Sequence, residues 1–132
     1  MNKVWVNGCF DVLHIGHIEL LRYAKSLGTH LIVGIDSDTR VSSFKGPLRP
    51  FNKQEQRKKF LEELKSVTKV EIYDSDSELC QHLADNHIDI MVIGSDWKEK
   101  RIVGEKKVKK VIFFDRIEGY STTRILNNEV CF

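Results

Sequence analysis

The stretch Val4-Trp5-Val6-Asn7-Gly8-Cys9-Phe10-Asp11-Val12-Leu13-His14-Ile15-Gly16-His17 decides how the chain is read. An apolar strand breaks at Asn7-Gly8-Cys9-Phe10-Asp11 and leads into a helix start marked by two histidines three positions apart. Backbone N–H groups at a glycine turn and at a first helical turn are free to meet an anion, and the helix dipole adds partial positive charge there. If Gly16 allows a phosphate to approach the backbone closely, His14 and His17 can both direct ring N–H groups at it. Two other accounts stand beside this one: half of a zinc site, for which no third ligand lies nearby in sequence, and a pair of histidines on a helix surface without chemical duty.

Working outward, Ile18, Leu20, Leu21, Ala24 and Leu27 recur at helical spacing, and Gly28 is read as the stop. His30 to Ile35 is a nearly continuous apolar run of strand length, as expected for a strand covered on both faces. Residues 41–51 hold both prolines of the chain, a glycine and the cations Lys45 and Arg49, and are read as a mobile functional loop. Asn52-Lys53-Gln54-Glu55 has the form of a capping box, followed by a helix through Arg57, Phe60 and Leu64. Val67 to Tyr73 is a third strand; Ser75 to Glu78 opens another helix; Ile88 to Ile93 is a fourth strand, closed by Gly94-Ser95-Asp96-Trp97. Val108 to Phe114 is a fifth strand, and Ser121-Thr122-Thr123 caps a last helix.

Strands alternating with helices predict an α/β fold: a Rossmann-like, doubly wound, five-stranded parallel sheet in order 3-2-1-4-5, as one domain over residues 1–132. That order reverses the winding between strands 1 and 4 and opens a crevice at their carboxyl ends. The glycine turn with its histidines and the Gly94 to Trp97 cluster both fall there.

Composition narrows the function. The 132 residues are 41% hydrophobic and 30% charged, within the range of globular domains able to bury one core. With 21 basic against 19 acidic residues, the balance of +2 gives no general attraction to nucleic acid or to a membrane surface. The cations between Lys98 and Lys110 are interrupted by Glu99 and Glu105 and read as a solvated face. Three cysteines without a C-x-x-C pair, and no long apolar run, predict a cytoplasmic protein. G-x-G-x-x-G does not follow the first strand and no P-loop occurs, so hydride transfer and P-loop hydrolysis have no support. Cys9 reads as a packed thiol rather than a nucleophile. A nucleotide held by backbone, histidines and scattered cations remains.

Asn7 to His17, together with Arg116-Ile117-Glu118-Gly119-Tyr120-Ser121-Thr122-Thr123, resembles the paired signatures of the HxGH nucleotidyltransferases of the cytidylyltransferase group, collinear from about residue 4 to residue 126. In length, and around Ile88 to Trp97, the chain is similar to the glycerol-3-phosphate cytidylyltransferases, which are homodimers. Elsewhere it leans another way. Lys45 to Asn52, Glu55-Gln56-Arg57, Ile102-Val103-Gly104 and Cys9 resemble the adenylyltransferase domain that makes ADP-heptose, whereas Arg116 favours the cytidylyl branch.

The resemblance implies transfer of CMP from CTP to a small phosphorylated polyol with release of pyrophosphate, or alternatively transfer from ATP to a sugar 1-phosphate. A nucleotide-binding regulatory module is the non-enzyme alternative. It further implies Mg²⁺ carried on the nucleotide phosphates, no metal held by protein side chains, and a homodimer with no nucleic-acid or membrane partner. His14, His17, Lys45 and Arg116 would be catalytic. Gly8, Cys9, Phe10, Gly16, Arg57, Gly94, Asp96, Trp97, Ser121 and Thr122 would bind nucleotide. Asp11 is expected to hydrogen-bond local backbone in its turn.

Overall fold

The computed structural model describes residues 2–94 and 101–115. Its elements are β1 (Lys3–Gly8), α1 (Ile15–Ser26), β2 (His30–Asp36), α2 (Asp38–Lys45), α3 (Gln54–Glu62), β3 (Lys69–Tyr73), α4 (Asp76–Asp85), β4 (Ile90–Gly94), a 3-10 turn (Glu105–Lys107) and β5 (Lys110–Phe114). The five strands are parallel in the order β3-β2-β1-β4-β5, as the apolar runs predict. β3, β4 and β5 each begin two residues later than the hydrophobic pattern indicates.

Alternation along the strands sorts the core into two layers. Val4, Val6, Leu31, Val33, Ile35, Val70 and Val92 face Leu21 and Ala24 of α1 and Leu61 of α3. Trp5, Ile32, Tyr73 and Met91 face Leu79 and Leu83 of α4 and Ile102. A strand buried on both faces has no polar side to show, which is why His30 to Ile35 carries an almost unbroken apolar run.

Gly34 makes this packing possible. A Cβ at Gly34 would collide with Cζ2 of the Trp5 indole, a ring buried completely and tied by its Nε1–H to Asn7 Oδ1 at 2.9 Å. Gly34→Ala should therefore destabilise the fold by about 1–3 kcal/mol through overpacking, read as a lower urea midpoint with unchanged slope. An alanine variant as stable as the parent would mean that the indole can shift at no cost.

Three local expectations change. Residues 41–45 are the second half of α2, which Ser37 opens by accepting from the Arg40 N–H at 3.2 Å. Only the segment after Gly46, which ends α2 at φ 100°, is loop. Asn52 does not cap α3: the N-cap is Lys53, with no side-chain bond, and the Asn52 amide donates instead to the Asp11 carbonyl at 2.6 Å. Gly28 is not a left-handed helix cap. α1 ends at Leu27 in the right-handed region, and glycine is required at 28 because a Cβ would strike the Asn2 carbonyl. Ser75 does cap α4, accepting from Glu78 N–H at 3.1 Å, while the Glu78 carboxylate accepts from Asp74 N–H at 2.8 Å. The last expected helix, from Ser121, lies outside the described residues.

Candidate active site

β1 and β4 share only the register pairs Val4 with Ile90 and Trp5 with Met91, whereas β1 and β2 pair along six residues. Beyond Trp5 the two central strands part, and the crevice of the switch point opens between them. The Gly8 end of β1 and the Gly94 end of β4 stand on its two sides.

The chain leaves β1 through a tight turn. Phe10 adopts φ 50°, a left-handed conformation uncommon for a bulky residue, and its ring is buried. Gly8 permits this: a Cβ there would lie 3.2 Å from the Phe10 ring. The same ring backs His17, with centroids 5.0 Å apart.

His14 is the N-cap of α1. Its Nδ1 accepts the Gly16 N–H at 3.1 Å, and Nδ1 of His17 accepts the His14 N–H at 3.2 Å, a reciprocal capping box built from two imidazoles. The rings stack with centroids 3.8 Å apart and planes 25° from parallel. With Nδ1 accepting in both, the proton of each neutral ring sits on Nε2. The backbone thus selects one tautomer for both rings and orients two Nε2–H donors side by side, at the end of a helix whose dipole favours anions. Gly16 also holds His14, since its N–H is the donor to that ring.

The turn is also fixed from behind by two buried charges. Asp11 is 1% exposed. Its carboxylate accepts from Arg49 Nε at 2.9 Å, Phe51 N–H at 2.7 Å and Asn52 N–H at 2.7 Å. Asp11 thus has the structural role anticipated for it, but its partners lie about forty residues away in sequence rather than in its own turn. Burial alone would push this carboxyl up; the two amides and the Arg49 guanidinium outweigh it and hold the group below the ordinary carboxylate range.

Arg57, expected to present a fork to phosphate, is 0% exposed. It donates to the carbonyls of Asn52 (2.9 Å), Cys9 (3.0 Å) and Asp36 (2.7 Å) and to the Asp38 carboxylate (2.9 Å). Its guanidinium faces the backbone beneath the turn and has no surface with which to meet a ligand.

Cys9 is partly buried at the turn. Burial raises its thiol pKa, against the lowering influence of the Lys45 and Arg57 charges. A raised pKa keeps it a thiol at neutral pH, the wrong form for a nucleophile. Lys45, exposed at the end of α2, lies close enough for its charge to act on Cys9.

Of the residues predicted for the site, His14, His17, Gly8, Cys9, Phe10 and Gly16 converge at one end of β1, with Lys45 nearby and Gly94 across the crevice. Asp96, Trp97, Arg116, Ser121 and Thr122 lie outside the described residues. Arg101, Lys106, Lys107, Lys109 and Lys110 are exposed, with Lys109 paired to Asp89 at 3.2 Å, as a solvated face requires. Sequence reading missed Arg49 and Asn52 as partners of the turn. Their signal was the Arg-Pro-Phe-Asn run itself, in which Arg49 and Asn52 carry side-chain donors and no carboxylate is present to receive them.

Among the described residues no three His, Cys, Asp or Glu side chains are grouped to hold a metal ion, and no helix is long and apolar enough to cross a membrane. The model of the cytidylyltransferase-like family matches residues 5–128. The chain belongs to the cytidylyltransferase-like family. Its motifs and sheet are those of a nucleotidyltransferase domain.

Similar proteins include the bifunctional protein HldE of Campylobacter fetus, 43% identical over 124 residues covering 94% of this chain and 27% of that protein. HldE of Nitratiruptor sp. is 44% identical over 125 residues, covering 93% and 26% respectively. The chain therefore spans about a quarter of the length of the curated relatives it matches. Among solved structures, a lipopolysaccharide core biosynthesis protein from Thermoplasma volcanium superposes with a TM-score of 0.73 at 23% identity, covering 89% of this chain and 99% of that one, which supports the fold.

Proposed function

We propose that this cytidylyltransferase-like domain is an adenylyltransferase that transfers AMP from ATP to a sugar 1-phosphate, releasing pyrophosphate and forming an ADP-sugar. The observation that carries this reading is the match to HldE proteins along nearly the whole chain, which favours the ADP-heptose type of transfer over the glycerol-phosphate one. The Lys45 to Asn52 segment, similar to the ADP-heptose domain in sequence, is bound to the phosphate-site turn through Asp11. Transfer of CMP to a polyol phosphate, favoured by Arg116 and by the Ile88 to Trp97 stretch, is correspondingly less well supported.

The acceptor phosphate is already an anion, so no enzyme nucleophile is required, in keeping with the protonated state of Cys9. An acceptor oxygen attacks the α-phosphorus and the bond to the pyrophosphate oxygen breaks, so the reaction requires positioning and neutralisation of charge. The two Nε2–H groups supply donors toward the reacting phosphate, each worth about 3 kcal/mol if they act like oxyanion-hole donors. Lys45 adds a point charge from the end of α2. Arg116, Ser121 and Thr122 retain their proposed phosphate contacts, and Gly94, Asp96 and Trp97 their proposed place beside the nucleoside. Mg²⁺ belongs to the proposal as the counter-ion of the triphosphate. A cytoplasmic homodimer belongs to it as well.

Pyrophosphate release from ATP and from CTP, each with a sugar 1-phosphate and with glycerol 3-phosphate, tests the assignment. The expected result is turnover with ATP and the sugar phosphate. Turnover confined to CTP and glycerol 3-phosphate would return the chain to the cytidylyl branch, and tight nucleotide binding without turnover for any pair would favour the regulatory module.

A further inference from the structure

A guanidinium without exposure is costly to bury, and a hydrophobic side chain of similar volume commonly serves stability as well or better. Arg57 is nonetheless placed where its fork meets four acceptors on three segments: Cys9 after β1, Asp36 and Asp38 where β2 passes into α2, and Asn52 before α3. Three of these are backbone carbonyls at element ends. Asn52 also links to Asp11 from its N–H and its side chain, so the bonds of Arg57 and of Asp11 form one network around the turn. Asp38 is shared in the same way, accepting from Gln54 N–H at 2.8 Å as well as from Arg57. Together these bonds tie the histidine-bearing turn, at Cys9 and Asp11, to Asp36, Asp38 and Asn52 at the two ends of the segment that carries Lys45.

Resting on the transfer reading above, we infer that Arg57 is a positioning residue for the reaction. It sets the turn at Cys9 against α2 and the Gly46 to Asn52 loop, and so fixes where Lys45 and the paired histidines stand relative to each other, without touching substrate. Its planar fork is the requirement; charge alone does not hold four acceptors in register.

The test uses the full chain with Arg57→Lys, which keeps the charge and loses the fork. The expected result is a fall in kcat of about tenfold or more with KM for ATP changed less than about threefold, since misplacement lowers the rate without removing a ligand contact. Amide exchange supplies a readout independent of turnover: Phe51 and Asn52, whose N–H groups donate to Asp11, should lose protection while Val33 in the central sheet keeps it. Guanidinium added to Arg57→Ala should restore part of both. A loss seen wholly in KM for ATP would make Arg57 a phosphate contact. Protection lost equally at Val33 would make it a general stabiliser, and either result overturns the inference, as does an unchanged Arg57→Lys. If the parent chain turns over no nucleotide and acceptor pair, the transfer reading fails, while exchange at Phe51 and Asn52 still decides whether Arg57 holds the loop.

Discussion

Replacing His14 by asparagine should leave the start of α1 intact and lower kcat by about a hundredfold or more. Asparagine is among the best N-cap residues, so its Oδ1 can take over acceptance of the Gly16 N–H, and the helix should lose only a few tenths of a kcal/mol. The imidazole, however, is gone, and with it the donor the backbone had oriented. His14→Ala removes both cap and donor and should cost about 1 kcal/mol of stability in addition to the rate. His17→Ala should lose turnover to a similar degree, because Nδ1 of His17 is what holds the His14 N–H and its ring stacks on that of His14. Comparing initial rates of pyrophosphate release with urea unfolding separates the two roles. An asparagine variant that keeps the parent rate would reduce the histidine pair to a helix cap.

The histidine pair illustrates what the sequence could report. Two histidines either side of a glycine after an apolar strand announce the helix start that both rings cap, because the elements involved are local and their chemistry is short-range. The strand order was legible for the same reason, since continuous apolar runs alternating with helical spacing leave few right-handed arrangements. Local pattern did not suffice for α2, where Asp38 to Lys45 offers only Val41 as a buried residue and is followed by Gly46 and both of the chain's prolines. Ser37 was the available signal, as an N-cap candidate after an apolar strand. Nor could pattern show that Asn52 would turn from α3 to Asp11, or that Arg57 would face carbonyl oxygens. A helix surface and a buried fork look alike in sequence when the acceptors come from three other segments.

Asp11→Ala should be the most destabilising single change considered, at about 3–5 kcal/mol near neutral pH, because it leaves the Arg49 guanidinium and two amides facing a hole where a carboxylate had been. Asp11→Asn should fall between alanine and the parent, keeping one acceptor oxygen but turning an NH₂ toward donors. The pH dependence follows from the direction of the carboxyl shift. The folded-state pKa lies below the ordinary aspartate value of 3.8, so the unfolded chain takes up the proton first as the solution is acidified. The contribution is therefore fully present above about pH 4 to 5 and declines as pH falls through the lowered folded-state value. Urea unfolding of parent and Asp11→Ala between pH 7 and pH 3 should show a gap that is constant at the upper end and narrows at the acidic end. A gap independent of pH would assign the loss to the cavity rather than to the charge. The link between the histidine turn and the loop carrying Arg49 would then rest on Arg57 and on the Asn52 side-chain amide at the Asp11 carbonyl.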